Sequence, residues 1–215
     1  MQDNYQSFDN LETTFGKSSV TQERVSLVAS HMYKQYLDFN NAANNGYRAF
    51  LEIDKELQII SDLLKQSFAA RNISTQNIYV EKDSQTQMTV VMLNVLWHKI
   101  SFSIRSNLQP KALPREIGAP MLSYRIMAIK GNYNEIMKNA DKTKDETETL
   151  LENEVASLFI PAEKTHPAIM TIRHLANKEL PLSAVDASKE FVLKVLESVC
   201  GGGIYHEMSI NLGNL

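Results

Sequence analysis

Cys200 is the only cysteine in the chain, so no internal disulfide framework can staple the fold. Long apolar runs are missing too. The longest, Val90–Trp97, is broken by Asn94 and falls well short of the ~20 residues a membrane helix needs. There is no basic excess: the net charge of −3 argues against a dedicated nucleic-acid binder, which is usually basic overall. The opening MQDNYQSFDN is polar and acidic, without the basic start and apolar core of a signal peptide. These absences lead us to expect a soluble, cytoplasmic protein with no membrane insertion.

Assembled catalytic motifs are equally scarce. His31, His98, His166, His174 and His206 include no i, i+4 pair, and neither HExxH nor CxxC occurs, so no metal and no cofactor are expected. Gly16-Lys17-Ser18 has the end of a phosphate-binding loop, but Leu11 stands where that motif needs glycine. Gly201–Gly203 follows a helical pattern rather than preceding one, and reads as a helix stop. Cys200 falls at a predicted helix C-terminus, where the dipole opposes a thiolate, although His206 lies within reach across the glycines. No residue is assigned a catalytic role. An enzyme with a dispersed site near Cys200 and His206, or using His166 and His174, is kept as an alternative.

What the chain does contain is a β-rich centre. Met88–Arg105 has no Gly or Pro, and its even positions from Met88 to Ile104 form an almost unbroken apolar row. The odd positions turn polar after Trp97, at Lys99, Ser101, Ser103 and Arg105, which predicts one solvent-facing side there. Either one bent strand or two strands broken near Trp97–Lys99 fits. Ile78–Lys82 reads as a further strand.

Helical periods lie on both sides. Ser19-Val-Thr-Gln22 has the form of a capping box, and Val25, Val28, Met32, Tyr36 and Phe39 follow along one helix face. Asn40, Asn41, Asn44, Asn45 and Gly46 predict a break. A second helix to about residue 70 carries Phe50, Ile53, Leu57, Ile60, Leu64 and Phe68. Residues 121–130 are ambiguous, with helix preferred over strand. Helices are also predicted over 145–160, 165–176 and 183–200, and a strand over 204–210.

These elements predict an α+β fold, with helices packed on one face of a small, mostly antiparallel sheet. Residues 1–18 are expected to be a mobile arm and 19–215 one domain: helical over 19–71, β-rich over 76–106, mainly helical over 119–200.

Two surfaces are candidates for binding. The apolar arm residues Tyr5, Phe8, Leu11 and Phe15, and the helical stripe Phe50, Ile53, Leu57, Ile60 and Leu64, suit a protein partner. The nine methionines fit an adaptable apolar surface as well as a core. Residues 99–144 hold nine Lys or Arg against three acids, so Lys99, Arg105, Lys111, Arg115, Arg125 and Lys130 form a candidate anion-binding set. The favoured expectation is a non-enzymatic protein-binding protein: an adaptor, chaperone or structural subunit of a larger assembly. Its partner would be another protein, a multi-protein assembly or further copies of the chain. A phosphate or nucleic-acid binder using the basic segment is the second alternative.

Overall fold

The computed structural model describes residues 19–83, 89–106, 123–162, 167–172, 178–180 and 184–201. The chain divides into two compact units, residues 1–38 and 39–215. The expected arm 1–18 and the strand over 204–210 lie outside the described residues.

One helix, α1 (Ser19–Ala69), replaces the two that the sequence predicts. The Asn and Gly run between them is helical because the sheet requires small or hydrogen-bonding residues there. Gly46 packs so closely on Tyr124 that a Cβ would lie 2.5 Å from the tyrosine Cβ. Asn45 Nδ2 donates to the carbonyls of Pro161 at 3.2 Å and Ala162 at 3.0 Å. Buried Ala42 and Ala49 continue the same close approach. Tertiary packing thus overrides weak local propensity. Gly46→Ala should therefore destabilise the protein by about 1–3 kcal/mol through overpacking, although alanine is the better helix former by ~1 kcal/mol. A lowered urea midpoint at unchanged slope would show it.

The rest of the second unit is a seven-stranded antiparallel meander in sequence order. Its strands are β1 (Ile78–Lys82), β2 (Val90–Val95), β3 (His98–Ser106), β4 (Ser123–Lys130), β5 (Glu154–Pro161), β6 (Ala168–Ile172) and the three-residue β7 (Lys178–Leu180). Two short helices, α2 (Tyr133–Lys138) and α3 (Glu146–Glu152), separate β4 from β5, and α4 (Ala184–Cys200) follows β7. The α+β expectation holds. The β-rich centre is two strands joined by the turn Leu96–Trp97, with Val95 opposite His98. Leu96 has φ +57°, a value most side chains avoid, and Trp97 stands 80 % exposed at the tip.

Three segments differ from the predicted helices. Residues 123–130 form β4, the helix begun at Glu146 stops at Glu152 and gives way to β5, and 168–172 form β6. All three strands are buried on both faces, so their sequences carry apolar runs without the alternation that distinguishes strand from helix.

One face of the sheet carries Val91, Leu93, Ile100, Phe102, Ile126 and Leu158 against Phe50, Ile53 and Leu57 of α1 and Phe191, Val192 and Val195 of α4. Phe102 and Phe191 meet edge to face, centroids 6.1 Å apart, and Ser188 Oγ donates to the Ala49 carbonyl, tying α4 to α1. The long helices share this face. The other face carries Val90, Met92, Met127 and Ile129 beneath Tyr133 and Leu150 of the short helices. Ser101 and Ser103 are buried on that second face, not in solvent as predicted, because α2 and α3 cover it.

Candidate functional site

In the first unit, residues 21–37 of α1 are exposed along their whole length. That is ordinary for a polar helix, but this segment is amphipathic. At 100° per residue, Val25, Val28, Ala29, Met32, Tyr33, Tyr36 and Leu37 share one side. Glu23, Arg24, His31, Lys34 and Asp38 occupy the other, together with Leu27, which is 71 % exposed. Val25 is 61 % exposed, Val28 58 %, Met32 63 %, Tyr33 64 % and Tyr36 61 %. In a folded domain such a stripe normally faces the core. Here it presents a contiguous apolar surface of several hundred Å2, the extent that marks interaction sites.

The sequence-predicted partner stripe has a different role. Phe50, Ile53, Leu57 and Ile60 are buried against the sheet, and Leu64 packs half-buried at the core margin. The four buried side chains stabilise the domain itself, and only Leu64 keeps part of its surface open. Tyr5, Phe8, Leu11 and Phe15 lie outside the described residues. The uncovered apolar positions belong to the preceding turns of the same helix. Their 3- and 4-residue spacing was visible, but spacing alone does not distinguish a covered stripe from an open one.

The basic candidates do not form one cationic patch. Arg125 is buried; its Nε donates to Ser157 Oγ at 2.7 Å, its Nη2 pairs with Glu154, and its guanidinium lies 5.2 Å from the Phe159 ring centroid. Arg105, the cross-strand neighbour of Arg125, donates to Tyr133 Oη at 2.6 Å and pairs with Glu146. Lys99 pairs with Glu135 at 3.1 Å, and Lys130 is exposed. Lys111 and Arg115 lie outside the described residues. Three of the four described candidates thus hold carboxylates from α2, α3 or β5. This is the arrangement expected where charge serves internal docking. Ser103 Oγ and Arg105 Nε are buried without a hydrogen-bond partner among the described residues.

The Tyr133–Glu146 contact ties α2 to the first turn of α3, whose Asp145 accepts a cap bond from the Glu148 amide at 2.7 Å. Burial and the Glu146 bond push the Tyr133 phenol up to about 12. Burial also pushes the Glu146 carboxyl up, but hydrogen bonds from Tyr133 and Arg105 and the guanidinium charge outweigh it, leaving it below its ordinary value. Both signs can be tested. The Glu146 contribution is present above the unfolded carboxylate pKa and is lost as pH falls through the lower folded value. The Tyr133 contribution is present below pH 10 and is lost as pH rises through about 12. Stability curves of Glu146→Gln should be flatter at the acid end and those of Tyr133→Phe at the alkaline end, as denaturant midpoints against pH will show.

The Ser157 hydroxyl donates to the Glu154 carboxylate, but both are largely buried in the sheet face with Arg125, and neither lines the open depression between α2 and α3. Burial pushes the Cys200 thiol up, disfavouring the thiolate. His166, His174 and His206 lie outside the described residues. No group of three or more His, Cys, Asp or Glu converges on a metal site among the described residues. An open depression of about 520 Å3 between α2 and α3 is lined by Asn132, Glu135, Asn139, Asp141, Lys144 and Glu152. Lys144 pairs there with Glu152, and Asp141 accepts bonds from Thr143. Among the described residues, no helix is long and apolar enough to cross a membrane. Compared with known proteins, the chain matches no family model, no curated protein and no solved structure.

Proposed function

We propose that the chain is a non-enzymatic protein-binding protein, a structural subunit, adaptor or chaperone, that holds its partner on the apolar side of α1 between Val25 and Leu37. One observation carries this reading: five large apolar side chains on successive turns of one helix side are each more than half exposed. An amphipathic helix binds through anchors at this spacing, laid into an apolar groove or against a second helix. The internal pairing of Lys99, Arg105 and Arg125 favours this reading over an anion-binding one. We also propose a cytoplasmic location, in keeping with the single cysteine.

The test is affinity capture of the full chain from its native host, with quantitative mass spectrometry, in three forms: unmodified, Val25→Ser/Met32→Ser, and the polar-side control Glu23→Ser/Lys34→Ser. The unmodified chain and the control should retain the same co-purifying protein, and the apolar-side variant should lose it at least about tenfold, as expected when anchor residues are removed. Equal recovery by all three forms would overturn the proposal.

A further inference from the structure

We infer that the partner held on this face is a second copy of the chain, packed antiparallel about a twofold axis between residues 30 and 31. The inference rests on the protein-binding reading above and names its occupant. Val25, Ala29, Met32 and Tyr36 follow one another at intervals of four, three and four, the spacing of a two-stranded helical seam. The smallest of the four, Ala29, and the largest, Tyr36, lie on opposite sides of the midpoint at residues 30 and 31. In an antiparallel pair centred at 30 and 31, Val25 lies opposite the partner's Tyr36 and Ala29 opposite the partner's Met32. Each layer then sets the smaller member of the series against a larger one, and neither alanine nor tyrosine meets its own kind. The flanks follow the same rule, with Tyr33 beside the partner's Ser26 and Val28 beside the partner's Gln35.

A parallel pair would stack alanine on alanine at one layer and tyrosine on tyrosine two layers later. That leaves a gap and a bulge in an interface that needs the density of a protein interior. The distribution of side-chain sizes therefore favours the antiparallel orientation. Self-association also meets little charge repulsion. Residues 19–38 carry Glu23, Arg24, Lys34 and Asp38, which sum to zero and lie off the apolar side. Covering the exposed Val, Met, Tyr and Leu side chains would remove on the order of 600 Å2 per protomer, at the lower end of what a specific interface buries. A pair of this kind is isologous and closes on itself, so it predicts a dimer and not a fibre.

Two measurements on the full chain test this together. Sedimentation of the unmodified protein across micromolar concentrations should show a monomer–dimer equilibrium, and Met32→Glu should weaken it about a hundredfold with unchanged far-UV dichroism. In a Cys200→Ser background, Ala29→Cys and Met32→Cys chains are then mixed and treated with a short bis-maleimide cross-linker. The antiparallel register predicts that the mixed product exceeds either self-linked product several-fold. A dimer giving only self-linked products would overturn the antiparallel arrangement. A monomer at every concentration would overturn the second copy as occupant. In that case, capture of a different protein that Val25→Ser/Met32→Ser abolishes would leave the protein-binding reading standing. Capture indifferent to that variant would end both.

Discussion

Arg125→Ala is expected to destabilise the protein by about 3–5 kcal/mol, the range for removing one partner of a buried ion pair. The arginine lies within the second face of the sheet, where its side chain is 6 % exposed and that of Glu154 is 15 % exposed. Truncation would leave the Glu154 carboxylate and the Ser157 hydroxyl without the guanidinium that faces both, and would uncover the Phe159 ring. Most of the loss comes from stranding a desolvated carboxylate, so the paired replacement Arg125→Met with Glu154→Leu should recover much of it. Denaturant unfolding of both single variants and the double variant closes the cycle. An Arg125→Ala effect under about 1 kcal/mol, the range of exposed pairs, would mean that the pair is solvated and that this face is not a second core.

Leu57→Ala is the other large effect, at about 2–5 kcal/mol, because Leu57 is fully buried between α1 and the sheet and its removal leaves a cavity. Its value lies in the contrast with Val28→Ala, a substitution of similar chemistry on the same helix. Val28 is 58 % exposed, so the stability of the isolated chain should change by no more than about 0.5 kcal/mol. Association should respond in the opposite order: strongly to Val28 and Met32, and to Leu57 only as far as the fold is lost. One helix would then serve two purposes, with the division near Asp38, where the two compact units meet in sequence.

Local patterns revealed much of this architecture, and their failures have a common cause. The strand at 78–82 and the C-terminal helix to Cys200 were legible because each shows a clean period, whereas the absence of turn residues near Trp97 left one bent strand and two strands equally open. Strands β4, β5 and β6 were not, since burial on both faces erases the alternation. The Asn40–Gly46 run looked like a helix end because glycine and asparagine are poor helix formers. What keeps it helical is Tyr124 and the Pro161 and Ala162 carbonyls, more than 75 residues away in sequence and invisible to local reading.

The site was half legible for a related reason. Amphipathic spacing runs through α1 from Val25 to Phe68, and a sequence does not say which turns of such a stripe the fold covers. The clearest stripe, Phe50 to Leu64, belongs to the core or its margin, and the exposed apolar stripe is the earlier one. Charge counting had the same limit. It found the charges but not the pairing of Lys99, Arg105 and Arg125 with Glu135, Glu146 and Glu154.

The central claim is that residues 21–38 form a helix whose apolar side is completed by another protein chain. These turns of α1 are exposed on all sides, and helical turns without packing are marginal in water, so their backbone amides should resist exchange strongly only when the apolar side is covered. Amide hydrogen exchange of the full chain at low and high concentration therefore tests the claim most directly. The account predicts that protection over 21–38 rises with concentration and collapses in Val25→Ser/Met32→Ser, while protection over 49–60 stays constant. Protection over 21–38 that follows neither concentration nor the substitutions would contradict it.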